Sequence, residues 1–403
     1  MSDQACSSWT ASTRSRSPGT PTVEIAIFFP LVSEYEHPPP IDSPFPSTLC
    51  KYGVLMTTRQ LPLRPAAARR VSVGRPEQLT QASLDQRIVA ALQVSGRATW
   101  REIARLAGTS ESTVARRGRA LMAAGVIRTT ALADPMRCGF GYPVLVQLTC
   151  APNRSAEVGA TLQDRPDVRM LALVTGRFDI VAELIVSSSR HLARILLEDL
   201  PRVPGILSTT TESVVRNFKL AYDWSAGLLG PGVELPEDPL DVSEPVKPVA
   251  LDRVDLGIID ELREDGRRSY PELAAALGIS ESASRRRVEA LIANRCLRPV
   301  TLVDPGFLGF DVEVLVWLQV ELGRLEHVAG ALIRRPEVRY ASATSGYSDL
   351  VAEVILRSQD DLYRFQTETL GSLRAIRSAE VALELRALKR AYLSIDWPAT
   401  ESW

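Results

Sequence analysis

The chain has 403 residues and a formal net charge of −1 at pH 7, with 45% hydrophobic and 24% charged residues. Such a length allows two or more domains, and the composition is ordinary for a globular protein. No run of about 18 apolar residues predicts a membrane span, and the first residues lack the apolar core of a secretory signal. A balanced net charge does not by itself indicate a nucleic-acid partner, so basic surfaces must be identified locally.

Cysteine and histidine usage argues against metal chemistry. The five cysteines form no CxxC pair, and the three histidines form no HExxH motif. An odd, scattered set of cysteines is typical of reduced thiols in a cytoplasm. We therefore predict a cytoplasmic protein without a metal or other cofactor.

Residues 1–82 differ from the rest of the chain, because they are rich in proline and lack sustained helical periodicity. This composition predicts a mostly disordered head. A further hypothesis is that translation begins closer to Met56.

After this head the sequence repeats itself, and each residue of the second copy lies 170 positions after its counterpart. Matched pairs are Asp85 and Asp255, Ser110 and Ser280, Pro166 and Pro336, Gly176 and Gly346, and Asp179 and Asp349. A constant offset of this size indicates a tandem duplication of whole domains, because solenoid repeats are only about 20–50 residues long. The proline-rich, acidic segment 226–250 is the predicted linker between the copies.

The first half of each copy, 83–134 and 251–304, is predicted to be a helix-turn-helix domain. The segments "TWRE" (99–102) and "SYPE" (269–272) have the capping-box pattern that begins a helix. A glycine then ends this second helix and a serine begins a third. Two short helices joined by a glycine turn are typical of a helix-turn-helix, and the residues that follow predict a short strand or wing.

The third helix has the pattern of a recognition helix, with small polar residues at its start and arginines behind them. The candidate DNA contacts are Ser110, Ser112, Thr113, Arg116, Arg117 and Arg119 in the first copy and Ser280, Ser282, Arg285, Arg286 and Arg287 in the second. Arg117 flanks the core-facing side of the helix, so holding the domain together is the alternative role for Arg117 and Arg287. A solvated, arginine-rich face is the alternative for the whole set.

The second copy departs from the first within this helix. Glu289 replaces the outward-facing Arg119, and Ser284 replaces the core-facing Val114. We therefore expect the second helix-turn-helix to bind DNA more weakly or with another preference.

The second half of each copy, 138–225 and 308–396, is predicted to be a ferredoxin-like βαββαβ domain. Helices cover only one face of such a sheet, yet in "VEVLVWLQV" (312–320) residues of both parities are apolar. Both faces of the sheet therefore need burial. Another copy must cover the open face, and either this chain or a second chain can supply it.

Taken in order, these features resemble the Lrp/AsnC family of bacterial transcription regulators. The resemblance is carried by the S-x-S-x-x-x-x-R-x-x-x-L pattern of both third helices and by "GRFD" (176–179) and "GYSD" (346–349). It implies an α+β chain with two winged helix-turn-helix domains and two ferredoxin-like domains in tandem, which binds double-stranded DNA sequence-specifically. Members usually carry one unit per chain, so this chain is expected to be an intrachain pseudo-dimer that forms further homo-oligomers.

The resemblance also implies a small-molecule effector, an amino acid or related metabolite, bound near the loop after the second strand. The candidate residues are Gly176, Asp179, Gly346 and Asp349. Glycine lets the backbone approach a ligand, and each aspartate can accept hydrogen bonds from an ammonium group. The alternative is that each glycine makes a tight hairpin and each aspartate caps it.

Two other functions remain as alternatives. Siroheme decarboxylases are enzymes that resemble this family and also pair two such units, with histidine and arginine near a tetrapyrrole. His191 and His327 fall in predicted helices of the sandwich domains, where a surface or packing role is the expectation, and we predict no enzyme activity. The third reading is an assembly module with inert helix-turn-helix domains.

Overall fold

The structure is a computed structural model that describes residues 82–220, 223–229 and 247–397. Almost all of the predicted head and most of the predicted linker lie outside the described residues. Within those ranges, no helix is long and apolar enough to cross a membrane.

The two copies have the same order of elements. The first copy comprises α1 (Leu84–Val94), α2 (Trp100–Ala107), α3 (Glu111–Ala123), β1 (Ile127–Ala133), β2 (Tyr142–Cys150), α4 (Ser155–Gln163), β3 (Val168–Val174), β4 (Ile180–Val186), α5 (Ser189–Arg194) and β5 (Ile206–Leu220). The second comprises α6 (Arg253–Glu264), α7 (Tyr270–Leu277), α8 (Glu281–Ala293), β6 (Leu297–Val303), β7 (Val312–Val320), α9 (Leu325–Ile333), β8 (Val338–Ser345), β9 (Leu350–Leu356), α10 (Gln359–Arg364), β10 (Ile376–Arg390) and the short β11 (Leu393–Ser394). Both α5 and α10 continue into a π-helical turn.

The helix-turn-helix domains form where the capping patterns predict them. In both capping boxes, 99–102 and 269–272, the hydroxyl and the carboxylate each satisfy a backbone N–H group. Gly108 and Gly278 then adopt left-handed φ values of 68° and 66° and end α2 and α7, which glycine does without steric cost.

The two βαββαβ domains close into one barrel. Strand β3 pairs with β10 and strand β5 pairs with β8, so the strand order is β10-β3-β4-β2-β5-β8-β9-β7, and β7 pairs back to β10. The faces left open by the helices meet inside, where side chains such as Leu145, Val181, Leu315 and Val351 form a shared core. The prediction that another copy covers the open face is confirmed, and the same chain supplies it.

The strand that follows each helix-turn-helix also pairs between the copies. Strands β1 and β6 form a separate antiparallel sheet in which Thr130 lies opposite Val300. Thr130 Oγ1 donates to the Arg263 carbonyl in α6 (2.7 Å), and Thr301 Oγ1 donates to the Leu92 carbonyl in α1 (2.9 Å). The segment predicted as a short strand or wing is therefore a strand whose partner is the other copy.

Candidate DNA-binding and effector sites

The recognition helices α3 and α8 begin with their predicted serines. Ser110 Oγ accepts from the Thr113 N–H (3.3 Å), and Ser280 Oγ accepts from the Ala283 N–H (3.2 Å). Ser110 Oγ also donates to the Thr113 hydroxyl (2.8 Å). The serines at the first position therefore act as N-caps, while the next pair, Ser112 and Ser282, stands exposed.

Exposed arginines follow on both helices. Arg116 and Arg119 on α3 and Arg286 on α8 are exposed. Arg285 is exposed too, but its guanidinium lies 4.9 Å from the centre of the Tyr270 ring at the start of α7. This cation–π contact holds Arg285 beside its own domain.

Arg117 and Arg287, which were predicted as candidate DNA contacts, form ion pairs within their own domains. Arg117 Nη1 donates to both carboxylate oxygens of Asp85 (2.9 and 3.0 Å). Arg287 Nη1 lies 2.8 Å from carboxylate oxygens of both Asp255 and Asp252. Because the helical period turns these positions toward the first helix of each domain, the arginines tie the third helix to the first. The alternative of a structural role is the one that the contacts support.

A pair of arginines that sequence reasoning missed clamps the two DNA-binding domains together. Arg97 donates to the carbonyls of Gly266 (2.7 Å) and Arg268 (3.0 Å) in the other copy. Its counterpart Arg267 donates to the carbonyls of Gly96 (2.7 Å) and Ala98, and burial lowers the pKa of its guanidinium. The repeated dipeptide Gly-Arg at both positions was the only available signal for this contact.

The two predicted effector loops meet at one end of the barrel. They are 175–179, between β3 and β4, and 345–349, between β8 and β9. The Arg177 guanidinium lies 5.0 Å from the centre of the Phe178 ring and 5.1 Å from that of Tyr347, which belongs to the other loop. It also pairs with Glu380 at 3.4 Å. Gly176 and Arg177 in the first loop and Gly346 and Tyr347 in the second are exposed at this end.

The two predicted aspartates have a structural role. Asp179 Oδ2 accepts from the Cys150 N–H (2.7 Å), and Asp349 Oδ2 accepts from the Val320 N–H (2.7 Å). Each carboxylate therefore caps the end of the neighbouring strand, whereas the alternative from the sequence was a cap on its own hairpin. One oxygen of each carboxylate is taken up in this way, so an effector would have to use the other.

The two predicted glycines face different neighbours. Gly176 and Gly346 both have positive φ values, 96° and 150°. A Cβ added to Gly346 would lie 2.9 Å from Cγ of Glu212, whereas one added to Gly176 would lie 3.8 Å from Cβ of Ala382. Glu212 and Ala382 are counterparts in the repeat, so the two loops are not equivalent.

Glu212 is a buried carboxylate that sequence reasoning missed. It is 1% exposed, and it accepts from the Ser348 N–H of the second loop (2.8 Å) and from Gln147 Nε2 (3.2 Å). The Ser348 amide is therefore bonded to a carboxylate of the chain itself.

At the first loop, aromatic residues take the places of Gln147 and Ser348. Trp317 replaces Gln147 and Phe178 replaces Ser348, and the two rings pack edge to face with centroids 6.3 Å apart. The Trp317 indole N–H is buried and has no hydrogen-bond partner among the described residues.

A buried ionic cluster lies inside the barrel. Arg169 and Glu183 form a bidentate pair (2.6 and 2.7 Å), and their counterparts Arg339 and Glu353 form another. The second copy adds Arg390, Glu313 and Glu384. The pairs border a cavity of about 50 Å³ that both copies line.

The carboxylates of this cluster outnumber the guanidiniums in the second copy. Glu384 accepts from Arg390 through one oxygen (2.5 Å), and its other oxygen is buried without a partner. Burial, together with Glu313 and Glu353, raises the pKa of Glu384 from 4.5 to about 8 despite Arg390. Oxygens of the three glutamates lie within 4.8 Å of one another, but the guanidiniums of Arg339 and Arg390 already pair with these oxygens.

Comparison with known sequences identifies both halves of each copy. The profile of the AsnC-type helix-turn-helix domain matches residues 83–122 and 251–292, and that of the Lrp/AsnC ligand binding domain matches 143–223 and 313–393. The chain belongs to the Lrp/AsnC family. It is a helix-turn-helix, DNA-binding transcriptional regulator with two complete Lrp/AsnC units in tandem.

Individual Lrp/AsnC relatives correspond to one unit of this chain. An uncharacterised HTH-type transcriptional regulator of Pyrococcus furiosus is 36% identical over 146 residues, which cover 36% of this chain and 99% of the relative. The HTH-type transcriptional regulator Ptr1 of Methanocaldococcus jannaschii is 31% identical over 140 residues, covering 34% of this chain and 95% of the relative. These relatives are archaeal, so the expectation that this chain is a bacterial regulator stays a prediction.

The tandem Lrp/AsnC arrangement has a structural parallel. The crystal structure of the siroheme decarboxylase NirDL matches 76% of this chain and 93% of its own length, with a TM-score of 0.52 and 16% sequence identity. At this identity the likeness shows a shared fold.

Proposed function

We propose that this Lrp/AsnC regulator binds an amino acid or a related small metabolite at the paired loops 175–179 and 345–349. The observation that carries the proposal is the meeting of these loops, which belong to the matched ligand binding domains, through Arg177 and Tyr347. An exposed guanidinium beside two aromatic rings suits a carboxylate attached to an apolar side chain.

On the DNA side, the proposed contacts are the exposed residues of the recognition helices. Ser112 and Ser282 approach the groove closely, while Arg116, Arg119 and Arg286 reach phosphates or guanine edges. Because one chain carries both helices, they occupy successive major grooves, about 34–36 Å apart or a multiple. A change in the barrel caused by the effector is transmitted to both domains through one covalent unit.

The first loop provides the working effector site in this proposal. Glu212 already supplies a carboxylate to the amide of Ser348 in the second loop, so a ligand carboxylate there would have to displace it. At the first loop Ala382 takes the place of Glu212, so no carboxylate stands there, and the buried Trp317 N–H has no acceptor within the described part of the chain.

Calorimetric titration of the full chain with each proteinogenic L-amino acid tests the effector proposal. Asp179→Asn keeps one oxygen for the Cys150 N–H and replaces the other, charged oxygen with an uncharged NH2 donor, and Asp349→Asn is its matched control. We expect Asp179→Asn to weaken binding severalfold and Asp349→Asn to leave it nearly unchanged. Tight binding that neither substitution alters would place the ligand elsewhere.

The Glu212→Ala variant tests whether Glu212 makes the second loop unable to bind the effector. It places an alanine against the second loop, as Ala382 lies against the first. We expect the number of amino acids bound per chain to rise from one to two. Binding of two in the wild-type chain would contradict the self-occupied second loop.

We propose that this activity is binding and not catalysis, in line with the relatives, which are named as regulators. His327 is exposed on α9, and His191 is half-buried on α5, 3.9 Å from Asp167; both locations are those expected for surface or packing residues. A haem-like absorbance band in the purified protein would instead favour a tetrapyrrole enzyme. Light scattering tests the proposed further homo-oligomer.

A further inference from the structure

The two recognition helices are presented to DNA as one unit. Strands β1 and β6 pair over their full length, and Arg97 and Arg267 reach across to carbonyls of the other copy. The helices α3 and α8 therefore have a fixed separation, so the position of one helix on DNA determines which half-site the other contacts.

The surfaces presented by this unit differ in charge. The segment Trp100–Ala123, which comprises α2 and α3, contains five arginines and two glutamates, a net charge of +3. Its counterpart Tyr270–Ala293 contains three arginines and three glutamates, a net charge of zero. Arg117 and Arg287 are paired internally in both domains, so the difference of three charges lies in the remaining side chains.

The charge is lost at exposed positions that face away from each domain's core. Arg101 and Arg105 on α2 are exposed and correspond to Pro271 and Ala275 on α7. Since each phosphate neutralised by a basic side chain contributes to affinity, the first domain provides most of the electrostatic attraction to DNA.

The residues available to read bases differ as well. Thr113 on α3 corresponds to Ala283 on α8, and the exposed Arg119 corresponds to the exposed Glu289. An arginine donates to guanine, whereas a glutamate accepts from the amino group of cytosine and is repelled by phosphates. The two helices therefore favour different base pairs.

We propose that this chain recognises an asymmetric operator, made of two unlike half-sites and bound in a single orientation. Helix α3 occupies the primary half-site and provides most of the affinity, and α8 reads a different, secondary half-site. A homodimer of single units presents two identical helices and favours a palindrome; the duplicated chain is free of that constraint. The inference rests on the DNA-binding function of the family.

Selection of bound duplexes from a random-sequence pool by the full-length chain tests the proposal. We expect the enriched wild-type motif to contain two half-sites of different sequence. In the Ala283→Thr, Glu289→Arg variant, α8 acquires the threonine and the arginine that α3 has at these two positions, and we expect two like half-sites with affinity increased about tenfold. These positions are not buried, and unchanged thermal unfolding would confirm that the variant folds.

The reciprocal Thr113→Ala, Arg119→Glu variant is the matched control. We expect it to select two copies of the secondary half-site and to bind more weakly than the wild type. A palindromic wild-type motif would overturn the asymmetric operator and leave the DNA-binding function intact. Failure to enrich any sequence would contradict specific DNA binding, and the proposal would fall with it.

Discussion

Replacement of Gly266 by alanine is expected to disrupt the pairing of the two DNA-binding domains. A Cβ at this position would lie 2.5 Å from the carbonyl oxygen and 2.7 Å from the nitrogen of Thr130 in β1. These are backbone atoms, so no rotamer change relieves the clash. The Gly266 N–H also donates to the Thr129 carbonyl (3.1 Å), and this bond must lengthen if the strand moves away.

The magnitude follows from the distance that the strand must move. Carbon atoms are attracted best at about 3.5–4.0 Å, so β1 has to retreat by about 1 Å along its contact with the α6–α7 turn. Overpacking of this kind costs about 1–3 kcal/mol, and we expect Gly266→Ala to lie near the upper end, at about 3 kcal/mol.

Gly96 is the counterpart of Gly266 and provides the control. A Cβ there would lie 3.3 Å from its nearest neighbours, Pro299 and Val300, so a shift of a few tenths of an ångström suffices. Reduced freedom of the unfolded chain contributes about 0.4–1 kcal/mol in favour of alanine, which offsets that small cost. We expect Gly96→Ala to change the free energy of unfolding by less than about 0.5 kcal/mol.

Urea unfolding of both full-length variants, followed by titration with a two-part DNA site, measures the difference. Gly266→Ala should lower the unfolding midpoint and weaken binding to the two-part site more than binding to a single half-site. Equal midpoints for the two variants would refute the assignment of Gly266 as the point of close approach.

Three further outcomes can be measured on the same protein. The pKa of Glu384 is raised to about 8, so between pH 4.5 and 8 the native state keeps a proton that the unfolded state has lost. The free energy of unfolding should therefore fall as the pH rises from 4.5 to 8. Urea unfolding at both ends of this range should show a smaller fall for Glu384→Gln. Arg117→Ala should cost about 1 kcal/mol of stability by breaking the half-exposed pair with Asp85. Arg116→Ala should leave unfolding unchanged and reduce the slope of log affinity for DNA against log salt concentration by about 0.9. A reversed pattern would show that Arg117 contacts DNA. Burial raises the pKa of the Cys138 thiol to about 12, so iodoacetamide at pH 8 should alkylate it only after unfolding. Rapid labelling of Cys138 in the native chain, followed by peptide mass spectrometry, would contradict its burial.

The sequence by itself was sufficient for everything that depends on neighbours along the chain. The constant offset revealed the duplication, and the capping boxes and glycine turns located the helices because these signals act within one helical turn. Apolar residues on both faces of β7 showed that the open sheet face required a partner. The recognition helices and the candidate effector loops were predicted for the same reason, since each is a short contiguous segment.

Only the tertiary structure decided which residues meet across the repeat. Closure of the barrel through β3–β10 and β5–β8, and the pairing of β1 with β6, join segments far apart in sequence that carry no local pattern. Packing inside the first copy assigns Arg117 to Asp85 and Asp179 to the end of β2, and packing across the repeat assigns Glu212 to the loop of the other copy. The periodicity of a helix or strand predicts which way each side chain points, whereas the partner of that side chain depends on packing between distant elements. That packing distinguishes residues with structural roles from candidate DNA and effector contacts.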